Sequence, residues 1–349
     1  MKWLGAVVWV ACLAAGVCWA KAPRDTGNDL RGKPPPSLLA GLKDPDPRVR
    51  VRAAALICKG ETKDGRVVEP LAEALKDESP VVRELAAVGL GKVGDARAVP
   101  LLAAAAKDEV PAVRAGVARG LGYQAGEEAL AALCGLLTDS EWWVRVCAAE
   151  SLPRAGGARA VDVLLPLLKD PNVEVRQSAA KGLGEIGDWR AFGALMDAAL
   201  DGAEGVAQAA VHSLGALRTG RETADDQQAW QRLRATTRVD FEQRGLKEVL
   251  DFVRDKSGVS VQADWTALQS AGIAPNAKVT LHASEISYVG ILALALGQAE
   301  GTGKAGFVVK DGVLHVSTRA EPEKLSAKSP PTATVAPSPA AKKHRLGRP

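Results

Sequence analysis

The 349-residue sequence predicts an all-α solenoid of helical hairpins, coiled as a right-handed superhelix, followed by a small α+β domain. Three observations carry that prediction. Turn-forming Asp residues (Asp44, Asp77, Asp108, Asp139, Asp170 and Asp201) recur at intervals of 33 residues once and 31 residues four times. Apolar residues recur in register after each Asp, four apart, which places them on one helical face. After Gly220 this period stops, and short alternating runs with turn dipeptides replace it.

Each repeat justifies two helices. The core positions after the Asp are Val49, Val82, Val113, Val144, Val175 and Val206, then Ala53, Ala86, Val117, Ala148, Ala179 and Ala210. Ile57, Leu90, Leu121, Leu152, Leu183 and Leu214 complete the stripe. The segment before each Asp, such as Val99–Lys107, reads as a first helix. Pro45, Pro47, Pro80 and Pro111 are placed at helix starts, where a missing N–H costs nothing. Pro166 falls inside a first helix and predicts a kink. Gly94, Gly156 and Gly187 are expected to end their second helices in the left-handed conformation. One hairpin cannot bury its apolar face alone, so neighbours must stack.

Six residues after the first five Asp stand Arg50, Arg83, Arg114, Arg145 and Arg176, while the sixth repeat has Ala207. We read Asp44/Arg50, Asp77/Arg83, Asp108/Arg114, Asp139/Arg145 and Asp170/Arg176 as a structural ladder. In it the Asp caps the second helix, and the Arg bridges that Asp or its neighbour's. The pattern Leu-Lys-Asp…Val-Arg…Ala-Ala…Leu-Gly…Gly-Asp resembles HEAT repeats of the phycobilisome-lyase-like type, over residues 36–220. The resemblance implies six HEAT-like repeats and leaves the function open.

Arg221–Arg234 is polar and helix-compatible, and 221–235 is assigned as a capping or linker helix. Beyond it, Arg238–Glu242 alternates as a strand, Leu246–Arg254 has helical spacing, and Gly258 stops it. Val259–Val261 reads as a short strand, Trp265–Gly272 as a helical excursion and Lys278–His282 as a strand. A helix over Ser287–Gln298 and a hairpin of Gly306–Lys310 and Val313–Ser317 around Asp311-Gly312 follow. The β-α-β-β-α-β-β order, the Val-Asp-Phe start, the Leu-Lys-Glu-Val-Leu helix and the Asp-Gly-Val-Leu ending resemble the short N-terminal domain of secretins and TonB-dependent receptors, over 236–319. That resemblance implies a small envelope-facing module that docks other proteins.

Residues 1–20 (one Lys, an apolar run, small residues at the exit) read as a signal peptide cut near Ala20. Residues 21–35 then form a flexible segment. The expected location is the periplasm or cell envelope, with a retained N-terminal membrane anchor as the alternative; a cleaved leader leaves no stable membrane insertion. Residues 320–349 are Pro/Ala/Lys-rich and predicted disordered. The leader accounts for +1 and the tail from Glu321 for +4 of the formal charge of +4, leaving the body at −1. Such a body lacks the basic footprint of a nucleic-acid binder. Past the leader three cysteines remain, Cys58, Cys134 and Cys147, which is no disulfide framework. Cys134 and Cys147 flank one turn and are read as free thiols, or as a disulfide in an oxidising compartment.

The search for chemistry finds no catalytic, metal or cofactor site. The four His (His212, His282, His315 and His344) form no His-Glu pair or His-x-x-x-His. Facing positions of His282 and His315 across strands would still lack a third ligand. Gly301-Thr-Gly-Lys304 fails as a phosphate loop, because Gln298 stands where Gly is needed and Ala305 where Ser or Thr would hold a metal. The expectation is an exported, non-catalytic scaffold that binds protein partners and needs no cofactor. The alternatives are a HEAT-type lyase or hydroxylase handling a cofactor in a concave groove, or an accessory part of an envelope secretion or uptake assembly. Trp142 and Trp143 are the candidate protein-binding residues. They open a second helix where other repeats carry Pro47, Pro80, Pro111 or Val173 and Arg48, Val81, Ala112 or Glu174, none of them aromatic, and adjacent helical positions point about 100° apart, so at least one should be exposed.

Overall fold

A computed structural model describes residues 36–59, 64–218, 222–300 and 304–318. The leader, the 21–35 segment, the 320–349 tail and Gly301–Gly303 lie outside the described residues. The chain divides after Ala155 into two compact units.

The first unit holds four hairpins: α1 (Pro36–Gly41) with α2 (Pro47–Lys59), α3 (Val68–Ala74) with α4 (Pro80–Val93), α5 (Ala98–Ala105) with α6 (Pro111–Leu121), and α7 (Glu127–Leu136) with α8 (Trp142–Gly156). Second helices α2, α4 and α6 pack side by side. The repeating stripe is their core: Val82, Val113, Val144, Leu90, Leu121 and Leu152 are fully buried. Val49 departs from the stripe and is 39% exposed, in a hairpin that only α1 precedes among the described residues. Pro80 and Pro111 begin α4 and α6. Pro45 does not begin a helix: it lies in the bend before α2, and its carbonyl accepts from Arg50.

Glycine sets how closely the second helices approach. A Cβ on Gly91 of α4 would lie 2.1 Å from the Gly120 carbonyl oxygen of α6. No rotamer relieves a backbone clash, so this crossing needs glycine on both sides. Gly94 and Gly187 close their helices at φ 74° and 71°. Gly156 does not, because α8 runs through it at φ −112°; the left-handed residue is Gly157, at φ 53°. The extra helical residue moves the reversal to the next position that tolerates it.

The second unit begins with a 3-10 turn at Gly157–Ala160 and the short α9 (Val161–Leu164). At Pro166 the first helix becomes a 3-10 segment, Leu165–Lys169, since proline removes the donor that α-helical spacing needs. Then come α10 (Val173–Ile186), α11 (Phe192–Ala198), α12 (Glu204–Leu214) and α13 (Ala224–Leu233). The remaining elements are β1 (Thr236–Gly245), α14 (Leu246–Ser257), β2 (Val261–Ala263), α15 (Trp265–Ser270), β3 (Lys278–Ser287), α16 (Tyr288–Glu300), β4 (Ala305–Lys310) and β5 (Val313–Thr318). β1 and β3 form an antiparallel ribbon, with Phe241 opposite Leu281. A three-stranded sheet has the order β2-β5-β4, with β2 parallel to β5 and β4 antiparallel to it. β2 starts two residues later than expected, because Gly258 caps α14 at φ 69° and pairing begins at Val261 with Leu314. Asp311 and Gly312, at φ 52° and 73°, make the β4–β5 turn.

These strands are joined to the last hairpin through a shared core. Helix α16 is apolar on nearly every side and packs on α11 and α12 as well as on α14, β3 and β4. Trp189 stacks on Phe192 at 4.5 Å, and Phe192 meets Phe307 of β4 edge-on at 5.1 Å. Trp230 of α13, 1% exposed, touches both Trp189 and Phe307. Its helix opens with a capping box between Thr223 and Asp226. The other oxygen of buried Asp226 accepts the Gly312 N–H at 2.8 Å and so holds the hairpin turn.

Candidate functional site

The Asp and Arg of the ladder do different things in each turn. Asp44, Asp77, Asp108, Asp139, Asp170 and Asp201 each accept, through Oδ1, the N–H two residues on, which folds the turn that starts the second helix. Arg50, Arg83, Arg114 and Arg176 then each use one nitrogen at home and a fork abroad. Arg114 Nη1 donates to the Asp108 carbonyl at 2.9 Å, while Nε and Nη2 grip Asp139 of the next repeat at 2.6 and 2.8 Å. Arg50 does the same to Asp77, Arg83 to Asp108 and Arg176 to Asp201. Arg145 Nη1 donates to the Asp139 carbonyl at 2.8 Å. The forks are largely buried, with side-chain exposure of 15% for Arg114 and 7% for Asp139. The Arg114 guanidinium therefore holds the Asp139 carboxyl below its ordinary range, and Arg176 does so for Asp201.

A second set of arginines, each two residues after an Asp, carries its signal in the sequence as Asp-x-Arg. Arg97 clasps Asp95 and reaches back to the Gly65 carbonyl and Glu69; Arg190 clasps Asp188 and reaches the Ala158 carbonyl and Asp162. The Arg97 contact pulls the Asp95 carboxyl down to about 2. These pairs tie the starts of successive first helices. The Glu84–Arg119 ion pair, which crosses between α4 and α6, has no periodic signal in the sequence. Burial raises the Glu84 carboxyl despite that partner.

Among the described residues the three cysteines, Cys58, Cys134 and Cys147, carry free thiols. Cys58 Sγ donates to the Leu85 carbonyl at 2.9 Å, and burial pushes its thiol up to about 11. His282 and His315 do not face each other. They sit in different sheets, His282 opposite Asp240 in the ribbon and His315 opposite Gln262 and Val308. His282 lies between two acids, with Nδ1 at 2.5 Å from Asp240 and Nε2 at 3.4 Å from Glu242. Among the described residues no three His, Cys, Asp or Glu side chains are arranged to hold a metal ion, and no helix is long and apolar enough to cross a membrane.

Large apolar side chains left exposed include Val49, Trp142 and Val173 on second helices, Tyr123 just after one, and Leu200 after α11. Trp142, the first residue of α8, is 43% exposed, and Trp143 beside it is half-buried. Tyr123 at the end of α6 is 47% exposed and lies under the Arg154 guanidinium, 5.9 Å from its ring centre. In the second unit a cleft of about 480 Å³ opens between α10 and α12. Its size and lining were not legible in the sequence, because they depend on how two helices 31 residues apart are spaced.

A family model for HEAT repeats matches residues 35–115, 100–173 and 161–245. No curated protein matches significantly. Among solved structures, the chain is similar to the CpcE–CpcF complex of phycocyanin lyase from Nostoc sp. PCC7120, at 23% identity and a TM-score of 0.43, over 61% of this chain and 86% of that one. It is similar to an engineered protein at 22% identity and a TM-score of 0.41, over 53% and 96% of the two chains. A designed armadillo repeat protein in complex with the peptide (KR)4 aligns at 19% identity and a TM-score of 0.39, over 52% and 99%. The family match spans more than half of the sequence and coincides with the repeating Asp turns and buried stripes: this chain belongs to the HEAT-repeat family.

Proposed function

We propose that the chain is an exported, non-catalytic scaffold that binds a protein partner around the α7–α8 turn and uses its C-terminal strands and helices as a second docking surface. HEAT repeats commonly serve as protein-binding scaffolds, and the observation that carries the reading is Trp142. The ladder takes Asp139 and Arg145 and the core stripe takes Val144, whereas Trp142 keeps 43% of its surface open. Tryptophan concentrates binding energy at interfaces when a partner desolvates it. Export rests on the leader, and the periplasm or cell envelope is the expected site of action. A second reading, an accessory component of an envelope secretion or uptake assembly, is favoured by the likeness of the sequence after residue 236 to the short N-terminal domain of secretins and TonB-dependent receptors, whose β-α-β-β-α-β-β order the chain follows with the short α15 inserted between β2 and β3.

The test is chemical cross-linking in intact envelopes followed by purification, comparing wild type with Trp142→Ala and Trp143→Ala. A partner captured by wild type and lost from a folded Trp142→Ala protein supports the scaffold reading. Undiminished capture by both folded variants removes the turn as the docking site.

A further inference from the structure

The second-helix face of the last two hairpins differs from its counterpart in the first unit. Seven and eleven residues after the turn Asp, successive repeats place Glu84 on α4 and Arg119 on α6, and their ion pair occupies the space between those helices. The same positions on α10 and α12 are Gln177 and His212. Gln177 turns to the Gly205 carbonyl, 3.1 Å away, and the 480 Å³ cleft is left open.

The form of this cleft is specific. One wall carries Gln177, Lys181 and Glu185, and the other carries Gln208 and His212. Four-residue steps on a helix rise about 6 Å. That equals two residues of a polyproline II chain at about 3.1 Å each, so the wall groups fall beside alternate peptide units of an extended segment. The lining from Gly205 to Ala216 is about 16 Å long at helical rise, or about five extended residues. Ser213 packs directly on Gly184 and Gln177 on Gly205, so the open part of the lining is set by Ala209 and Ala216, which present only methyl groups, and Lys181 and Glu185 cancel in formal charge.

We propose that this cleft holds an extended, uncharged, small-residue polypeptide, and that its occupant is the chain's own Ser329–Ala341 segment. That stretch, SPPTATVAPSPAA, has no charged residue and four prolines, and nothing in it is bulkier than Val335. Proline is preorganised as an extended chain and offers a carbonyl without a donor to satisfy. The carbonyls match Lys181 Nζ as donor, and the remaining N–H groups match Glu185. Strand β5 ends at Thr318 in the same unit as the cleft, and residues 319–328 can span about 33 Å. A compact unit of this size has a radius of gyration of about 15 Å, hence a surface radius of about 19 Å, so the tether reaches about half of the unit's surface from Thr318. A short tether also supplies an effective concentration on the order of millimolar, so a weak contact is enough. This inference goes beyond partner binding at Trp142 and does not rest on it.

The experiment compares Ala-methyl NMR spectra of the full chain with those of a chain ending at Lys328, then adds synthetic Ser329–Ala341 peptide to the shortened chain. Expected are shifts of the Ala209 and Ala216 methyl signals on shortening, restored by millimolar peptide. Gln208→Arg, at an exposed wall position, should abolish the difference while circular dichroism stays unchanged. Identical Ala209 and Ala216 signals in the full and shortened chains overturn the proposal. So does equal restoration by a Glu/Lys-rich 13-residue peptide, which would assign the cleft to an external ligand.

Discussion

Replacing Arg114 by Ala removes four donated hydrogen bonds: two to the Asp139 carboxylate and two to the carbonyls of Asp108 and Glu109. Asp139, 7% exposed with Arg114 in place, then keeps the Glu141 N–H as a donor. Breaking a buried ion pair from one side costs about 3–5 kcal/mol. Because Arg114 is itself 15% exposed and Asp139 keeps one donor, the lower end applies, about 3 kcal/mol. Repeats are coupled through their neighbours. With a urea slope of about 2 kcal/mol/M, the unfolding midpoint should fall by about 1.5 M. Exposed Arg48→Ala is the control and should stay within about 0.5 kcal/mol of wild type. A double-mutant cycle with Asp139→Asn, which preserves the turn acceptor, should show a coupling of about 2 kcal/mol. Partner affinity of the folded fraction should be little changed. An Arg114→Ala midpoint equal to that of Arg48→Ala, or strict additivity in the cycle, would refute the ladder as a stabilising device. The pH dependence follows from the depressed Asp139 carboxyl: its contribution is complete above the unfolded carboxylate range, near pH 4, and is lost as pH falls through the lower folded value. Wild type should therefore lose more stability than Asp139→Asn on acidification below about pH 4.

Further expectations concern the crossings and the shared core. Gly91→Ala must push α4 off Gly120 and should destabilise by about 1–3 kcal/mol, read as a lower urea midpoint; an unchanged midpoint would mean the two backbones do not touch. Asp226→Ala removes the capping box and the anchor of the β4–β5 turn, for a loss of about 1–2 kcal/mol, with faster amide exchange at Gly312 as the local signature. Cys58, buried and with its thiol raised, should react with a disulfide reagent only after denaturation; rapid labelling in the native protein would contradict its burial.

Much of the helical half was legible because it is written locally. Spacing four residues apart selects one helical face, so the Val-Ala-Leu stripe could be listed and is buried in repeat after repeat. Glycine conformation was less legible: Gly156 and Gly157 are adjacent, and which of them reverses depends on where α8 stops. Exposure of a residue such as Val49 depends on what covers it, which spacing within its own helix does not encode. The strand order after residue 236 could be read from alternation and from Asp311-Gly312. That His282 and His315 occupy different sheets could not be, because alternation orders strands along the chain without saying which of them pair.

What the sequence determined by itself is the period, the buried stripe, the six Asp turns and the residue types available at each of them. Tertiary structure decided the partners: Arg114 reaching forward to Asp139, Arg119 closing one inter-helix space while Gln177 and His212 leave another open, and Trp230 and α16 joining the strands to the last hairpin. The physical reason is the range of the information. Helix and turn preferences act over about four residues, whereas these contacts link positions 25 or more apart and exist only once whole hairpins have stacked.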